Sequence, residues 1–155
     1  MSKSVKRVRA ALETAGLPAD IRELGETRTA EQAAAAVGCT LDQIVKSLIF
    51  RGTESGHVRL FLVPGGRRLD PAKAAAAAGE PLGKADAALV RAETGFVIGG
   101  VAPVGHAAPA ATWMDPRLLD FAEVWAAAGT PRHVFPIAPE ALHAVTGAVI
   151  RDVTE

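Results

Sequence analysis

Lys46 is the only charge in the apolar run Ile44-Val45-Lys46-Ser47-Leu48-Ile49-Phe50. A strand beginning there puts Lys46 on one face with Leu48 and Phe50. A buried ammonium is costly unless paired, so two readings stand. Either the side chain runs out to a sheet edge, or it projects into a pocket and meets an anionic or polarised group of a ligand. A second cluster lies in Thr94-Gly95-Phe96-Val97-Ile98-Gly99-Gly100-Val101-Ala102-Pro103-Val104-Gly105-His106, where three glycines and a proline fall within seven residues. Glycine weakens a strand unless a bulge, a bend or a close backbone approach requires it. The segment is therefore either a strand-ending turn with a bulge, or a loop whose backbone N–H groups face a carbonyl or carboxyl oxygen while Pro103 keeps its shape.

Other chemistries find no support. The chain has no G-x-S-x-G, no H-E-x-x-H, no Walker loop and no strand-linked G-x-G-x-x-G. His57, His106, His133 and His143 lack the spacing of a metal site, and Cys39 has no cysteine neighbour, so neither a metal nor a cofactor is expected. Cys39 stands between Gly38 and Thr40 and reads as a small buried hydrophobe rather than a nucleophile.

These residues must be held by elements that the pattern partly reveals. Val5, Val8, Leu12 and Ala15 fall at helical spacing before Gly16, with Lys3, Lys6, Arg7 and Arg9 expected on the outer face. A short strand is expected near Ile21 to Leu24. Thr29 with Gln32 opens a helix closed by Gly38, and Thr40 with Gln43 opens a helical turn. A hairpin follows, Leu48 to Phe50 and Val58 to Val63 around Gly52 to Gly56. Asp70 caps a helix starting at Pro71, and a further helix is expected from Asp86 to Glu93. Phe96 to Val101 reads as a strand interrupted by glycines. Later strands are expected near Ala111 to Met114, Val124 to Ala126, His133 to Ile137 and Ala148 to Val153, separated by a short helix after Asp115 and one at Pro139 to Val145. Helices and strands mix without strict βαβ alternation, which favours an α/β protein of α+β type: a mixed, curled, barrel-like sheet flanked by helices.

The 155 residues suit one domain, taken as 1–155. Seventeen Lys plus Arg balance seventeen Asp plus Glu, which excludes a globally basic nucleic-acid binder and an acidic tail. The charge is nevertheless segregated: residues 1–78 carry twelve basic and eight acidic residues, residues 79–155 five and nine. Lys3, Lys6, Arg7, Arg9, Arg51, Arg59, Arg67, Arg68 and Lys73 are expected to line a rim near Lys46. Thirty-two alanines leave the core to fewer Leu, Ile, Val and Phe. No run of about 18 apolar residues suggests a membrane span. A single cysteine and the lack of a signal-like start make a cytoplasmic location the expectation.

Lys46 in its I-V-K-S-L-I-F setting and the G-x-x-x-P element from Gly99 to Pro103 resemble the YbaK/prolyl-tRNA synthetase editing-domain family of aminoacyl-tRNA deacylases. The likeness extends to Thr29-Ala30-Glu31-Gln32-Ala33-Ala34, Thr94-Gly95, Asp115 and Ala128-Gly129-Thr130, and follows the family's order from about Val5 to Val153. The resemblance implies a free-standing trans-editing enzyme that hydrolyses the ester between a small mischarged amino acid and a tRNA, with tRNA(Pro) foremost. Alanine, cysteine, serine, threonine and 2-aminobutyrate are the conceivable residues removed. Its partners would be the acceptor end of aminoacyl-tRNA and, second, prolyl-tRNA synthetase. It implies Lys46, Gly99 and Gly100 as catalytic, with Thr94, Gly95, Val101, Pro103, Gly105, His106 and Asp115 contacting substrate. No protein nucleophile is implied: water attacks the carbonyl, helped by the substrate's ribose hydroxyl, while the protein positions and stabilises charge. His106 is a donor or base, or a loop residue without a role. Asp115 shapes the pocket or caps the turn before Pro116. Arg28 departs from the polar residue, often His, that relatives carry there, which leaves amino-acid preference open. The competing readings are a catalytically silent module that binds charged tRNA or a synthetase, and hydrolysis of a small non-tRNA ester.

Overall fold

The computed structural model describes residues 2–25 and 27–155. Helix α1 (Lys3–Thr14) starts where the Ser2 hydroxyl accepts the Val5 N–H and buries Val5, Val8 and Leu12. It ends in a Schellman motif: Gly16, at φ 72°, donates to the Glu13 carbonyl and Leu17 to the Leu12 carbonyl. Strand β1 (Arg22–Glu23) follows, then α2 (Ala30–Val37). The Thr29 hydroxyl caps α2 on the Gln32 N–H, while the Gln32 side chain reaches one residue further back than a capping box, to the Arg28 N–H. A 3-10 turn (Leu41–Gln43) leads into the hairpin of β2 (Val45–Gly52) and β3 (Val58–Pro64). Next come α3 (Pro71–Ala78), β4 (Leu82–Lys84) and α4 (Ala87–Thr94), with Asp70 and Asp86 as the two helix caps. The chain finishes with β5 (Ala111–Met114), a 3-10 turn (Pro116–Asp120), β6 (Val124–Ala127), β7 (His133–Ile137), α5 (Pro139–Thr146) and β8 (Val149–Ile150). Strand β4 has no pattern of its own in the sequence and exists by pairing with Phe50 to Gly52.

The expected mixed sheet flanked by helices is present, and its strands form two sheets without closing a barrel. The larger runs β4-β2-β3-β5-β8, with β3–β5 and β5–β8 parallel. The smaller runs β1-β7-β6, all antiparallel. A bridge between Ile44 and Trp125 joins them where β2 begins. Alternation along β2 and β3 explains the two cores. Val45, Ile49, Leu60 and Leu62 face the main core with Val8, Leu12, Phe96, Met114, Phe135 and Leu142. On the other face Leu48, Phe50, Phe61 and Val63 pack with Ala74, Trp113 and Val153, Phe61 stacking on Trp113 with ring centres 5.1 Å apart. Strand β3 is thus buried on both faces, and its run of apolar residues follows from that.

The structure departs from expectation at Phe96 to Val101, which form a turn rather than a strand. Gly100 donates its N–H to the Val97 carbonyl at 3.0 Å, and Gly99 takes φ 89°, the position that a type II turn reserves for glycine. Arg7 also departs from its expected place on the outer face of α1. Its Nη2 donates to the carbonyls of Thr94 and Gly105, both at 2.8 Å, and its Nη1 to that of Gly95 at 3.3 Å. The guanidinium lies 4.9 Å from the Phe96 ring centre. Residues 95–106 therefore form an Ω-like loop whose ends are drawn together, Ala107 and Ala108 donating back to Thr94 and Glu93. Arg59, expected on the basic rim, is instead spent on buried Glu80, whose carboxylate also accepts the N–H groups of Glu54 and Ser55 in the β2–β3 turn.

Two expectations follow from these contacts. Arg7→Ala leaves the Gly105 carbonyl without its donor and takes one of two donors from Thr94 and Gly95, which keep Ala107 and Arg91; it should lower stability by about 1–3 kcal/mol in urea denaturation, with Arg7→Lys recovering only part because an ammonium cannot fork across the carbonyls. The Glu80 carboxyl is held down to about 2 from its ordinary 4.5, chiefly by the Ser55 N–H, with Glu54 and Arg59 adding. A depressed folded-state value stabilises the protein above the ordinary Glu range, and that contribution is lost as pH falls from there toward about 2. Glu80→Gln should destabilise the protein at neutral pH and flatten the acid limb of its stability curve.

Candidate active site

A cavity of about 380 Å³ opens where the two sheets meet. One wall is the start of β2, Val45 to Leu48; another is Trp125 to Ala127 of β6; Thr27 to Ala30 and Ala33 close a third side. Gly99 and Val101 of the Ω-like loop, and Thr130, Pro131, His133 and Val134 around the β6–β7 turn, complete it. The walls are mostly small and apolar, so an occupant's bulk is limited by Ala30, Ala33, Ala126 and Ala127 rather than by a deep specificity slot.

Lys46 lies at this cavity because β4 pairs only with Phe50 to Gly52, leaving the first half of β2 unpaired on that side. Both readings of its side chain hold in part: it stands at a free strand edge and lines the cavity. Its Nζ donates to the Arg67 carbonyl at 2.6 Å. Burial holds the ammonium below the ordinary lysine value, opposed by Glu31 and Asp42 and reinforced by the nearby charge of Arg68. Ser47 lines the cavity wall, its hydroxyl enclosed and without a hydrogen-bond partner among the described residues.

The expected site residues divide between places. Lys46, Gly99 and Val101 meet at the cavity. Gly100 sits directly behind, its backbone pressed against Gly129 and Thr130, and its N–H is committed to Val97. Pro103, Gly105 and His106 instead line a smaller hollow of about 210 Å³ on the α1 and α5 side. There the His106 Nε2 donates to the Ala102 carbonyl at 2.6 Å, and its ring meets Phe96 edge-on. Burial lowers the basicity of His106, a carbonyl partner opposes this, and Arg7 adds to it. Thr94 is fully buried, donating to Val90 and accepting from Phe96, and Gly95 closes α4 at φ 81°. Asp115 is buried as a cap: it accepts the Arg117 N–H and the Thr154 hydroxyl. Thr94, Gly95 and Gly105 thus hold the ends of the Ω-like loop, and Asp115 ties the 3-10 turn to the C-terminal segment.

Sequence reasoning passed over His133. It opens β7 on the same face as buried Phe135 and Ile137, and a polar residue at the head of an inward-facing row is the signal that was available. The Thr130 hydroxyl stands 2.6 Å from His133 Nδ1 and accepts the Arg132 N–H at 3.1 Å. On the other side of the ring, Nε2 faces a Glu23 carboxylate oxygen at 3.9 Å. The basic rim is narrower than expected. Of the expected rim residues, Arg67 meets Lys46 through its carbonyl and Arg68 acts on it by charge, and Arg28, not expected there, lines the cavity; Lys73 is instead engaged by Asp152 and the Thr154 carbonyl. Cys39 packs beside Ala34, Ile44 and Trp125, with its thiol pushed up by burial. Among the described residues no group of three or more His, Cys, Asp or Glu is placed to hold a metal ion, and no helix is long and apolar enough to cross a membrane.

Residues 25–145 match the model of the aminoacyl-tRNA editing domain. The chain is 34% identical over 114 residues to the uncharacterised protein YwhH of Bacillus subtilis, covering 74% of this chain and 72% of that one. It is 28% identical over 130 residues to EbsC of Enterococcus faecalis, described as a candidate Cys-tRNA(Pro)/Cys-tRNA(Cys) deacylase, covering 81% and 77%. Among solved structures, a candidate trans-editing enzyme for prolyl-tRNA synthetase superposes with a TM-score of 0.92 at 50% identity, covering 100% of this chain and 99% of that one. The hypothetical protein APE2540 superposes at 0.86 with 32% identity, covering 96% and 99%.

The packing of Gly100 gives a direct test of how the cavity wall is held. A Cβ built there stands 2.8 Å from the Thr130 Cα and 3.1 Å from the Gly129 carbonyl oxygen, and both are backbone atoms that cannot swing aside. Gly100→Ala should push the Ω-like loop off the β6–β7 turn and cost about 1–3 kcal/mol, read as a fall in melting temperature.

Proposed function

The chain belongs to the aminoacyl-tRNA editing-domain family, and we propose that it acts as a free-standing deacylase that hydrolyses the ester of a small mischarged amino acid on a tRNA, with tRNA(Pro) as the substrate tRNA. The observation that carries this reading is the convergence of Lys46, Gly99 and Val101 on one small-walled cavity lined also by Arg28, with the charge of Arg68 close to Lys46. A half-desolvated ammonium at the mouth suits an anionic or hydroxyl-rich nucleotide end, and the apolar interior suits a small acyl side chain.

In this reading the aminoacyl group enters between the glycine turn and β6, while the terminal nucleotide stays at the mouth. Lys46 exchanges the Arg67 carbonyl for a phosphate or ribose oxygen and fixes the ester's position. Water attacks the ester carbonyl, and the narrow, rigid walls supply orientation rather than a covalent partner. Exclusion of bulk is the selective step: a pocket separates side chains differing by one methylene by only about 1–3 kcal/mol, which is why a second hydrolytic site after charging is useful. Gly100 contributes through close backbone contact, since its own N–H serves the turn. Prolyl-tRNA synthetase is the partner that would supply the mischarged product. EbsC, a candidate Cys-tRNA deacylase, and the candidate trans-editing enzyme for prolyl-tRNA synthetase support a hydrolase reading.

The test is a panel of tRNA(Pro) charged with alanine, cysteine, serine, threonine or 2-aminobutyrate, each incubated with purified protein. At least one ester should disappear well above its spontaneous rate, and Lys46→Ala should slow that loss by about 10–100-fold. No hydrolysis of any ester by the wild type would leave only a binding role. Equal rates for wild type and Lys46→Ala would remove Lys46 from the site. Affinity for tRNA should fall steeply with ionic strength if Arg28, Arg67 and Arg68 meet phosphates.

A further inference from the structure

We propose that Thr130 and His133 form a proton relay that activates the attacking water, with Glu23 as its outer electrostatic support. This rests on the deacylase reading above and adds a protein base to a cavity otherwise limited to positioning.

The contacts around Thr130 are compatible with one set of hydrogen-bond directions that makes His133 a base. The Thr130 hydroxyl oxygen accepts the Arg132 N–H at 3.1 Å, so its own hydrogen is available for the His133 Nδ1 2.6 Å away. In the relay the hydroxyl donates to Nδ1, which assigns the imidazole proton to Nε2, on the side of the Glu23 carboxylate 3.9 Å away. A hydroxyl, a base and an orienting carboxylate thus follow one another, an order that generates activated oxygen nucleophiles elsewhere in enzymology. Pairing across β1 and β7 sets Glu23 directly opposite His133, so the order is built into the sheet register. The location also fits. Thr130 and His133 line the same cavity as Lys46 and Gly99, and the Thr130 backbone abuts Gly100.

The chemistry balances without a covalent intermediate. As water approaches the ester carbonyl, one of its protons passes to the Thr130 oxygen while the Thr130 hydroxyl proton passes to His133 Nδ1. The hydroxide adds to the carbonyl carbon, the bond from that carbon to the ribose oxygen breaks, and the imidazolium proton returns through Thr130 to the departing ribose oxygen. Glu23 stabilises the imidazolium while it lasts. Thr130 remains a relay rather than a nucleophile, because its second contact, to Arg132, holds its oxygen in the turn.

The turn itself gives Thr130 a structural role, so the test must move something that folding does not. Single-turnover deacylation is measured for wild type, Thr130→Ser, Thr130→Val, His133→Ala and Glu23→Gln, on the ester that the wild type hydrolyses. Thr130→Val and His133→Ala should lower the rate at saturation by about 10²-fold while the half-saturating protein concentration changes by less than about twofold. Thr130→Ser should keep most of the activity. Added imidazole should restore His133→Ala in part and leave Thr130→Val unchanged. Glu23 is exposed, so Glu23→Gln folds, and it should slow the reaction several-fold. Should Thr130→Val fail to fold, the imidazole rescue and Glu23→Gln decide the matter. A wild-type rate retained by His133→Ala, or no response to imidazole, would overturn the relay and leave deacylation standing. An inactive wild type would instead overturn the deacylase reading.

Discussion

The guanidinium of Arg7 holds together parts of the chain about ninety residues apart. Its fork collects the carbonyls of Thr94, Gly95 and Gly105 and covers the Phe96 ring, so the exit of α4 and the end of the Ω-like loop converge on one cation. Carbonyl oxygens brought this close repel one another unless a donor sits among them, and a planar five-donor group is the side chain suited to do so. Helix α1 carries that group on a body anchored by Val5, Val8 and Leu12, all fully buried. The same helix meets the other cavity-forming turn, because Gly129 lies against the Ser4 backbone with no room for a side chain. Both turns that shape the cavity are therefore registered to one helix, and through Gly100 and Thr130 to each other.

Rigidity of this kind matters more where a protein offers no covalent partner. A positioning site draws its rate from holding ester and water in one geometry, and an error of about 1 Å is expensive. The elements around the cavity are accordingly short and locked: a type II turn, a five-residue connection between β6 and β7 closed by the Thr130 hydroxyl, and a capped α2. Flexible binding is left to the rim, where Lys46 is tethered among the described residues by a single carbonyl and is surrounded by charges of both signs.

Much of this was legible in the residues. Caps at Thr29, Asp70 and Asp86 and the hairpin pattern of β2 and β3 have local causes, and they form where the pattern puts them. Lys46 stood out because one charge in an apolar run has to be answered by something. The misplacements share a different cause. Phe96 to Val101 has the apolar residues of a strand, yet the local turn at Gly99 and the Arg7 clamp, the latter set from a remote part of the sequence, turn it into a loop. Arg7 itself sat at a position that helical spacing assigns to solvent, and only the return of residues 94–105 makes it an inward group. His106 drew attention by lying beside the glycines, whereas the imidazole at the cavity is His133, brought there by a sheet pairing that no local pattern shows.

The balance of charge is explained by the same distribution of partners. The first half of the chain is basic, but Arg7, Arg59 and Lys73 spend their charge on carbonyls and carboxylates within the fold. Arg59 and Lys73 even find theirs, Glu80 and Asp152, in the acidic second half, so the segregation seen along the chain is partly cancelled in space. What survives as field is local to the mouth of the cavity, where Arg28 lines the wall, the charge of Arg68 acts on Lys46, and Glu31 and Asp42 oppose it. A localised patch of this size draws an anionic chain end toward one point without binding polyanions along the whole surface. In the proposed deacylase, which would inspect many correctly charged molecules and release them, weak and focused attraction is the arrangement that keeps inspection fast.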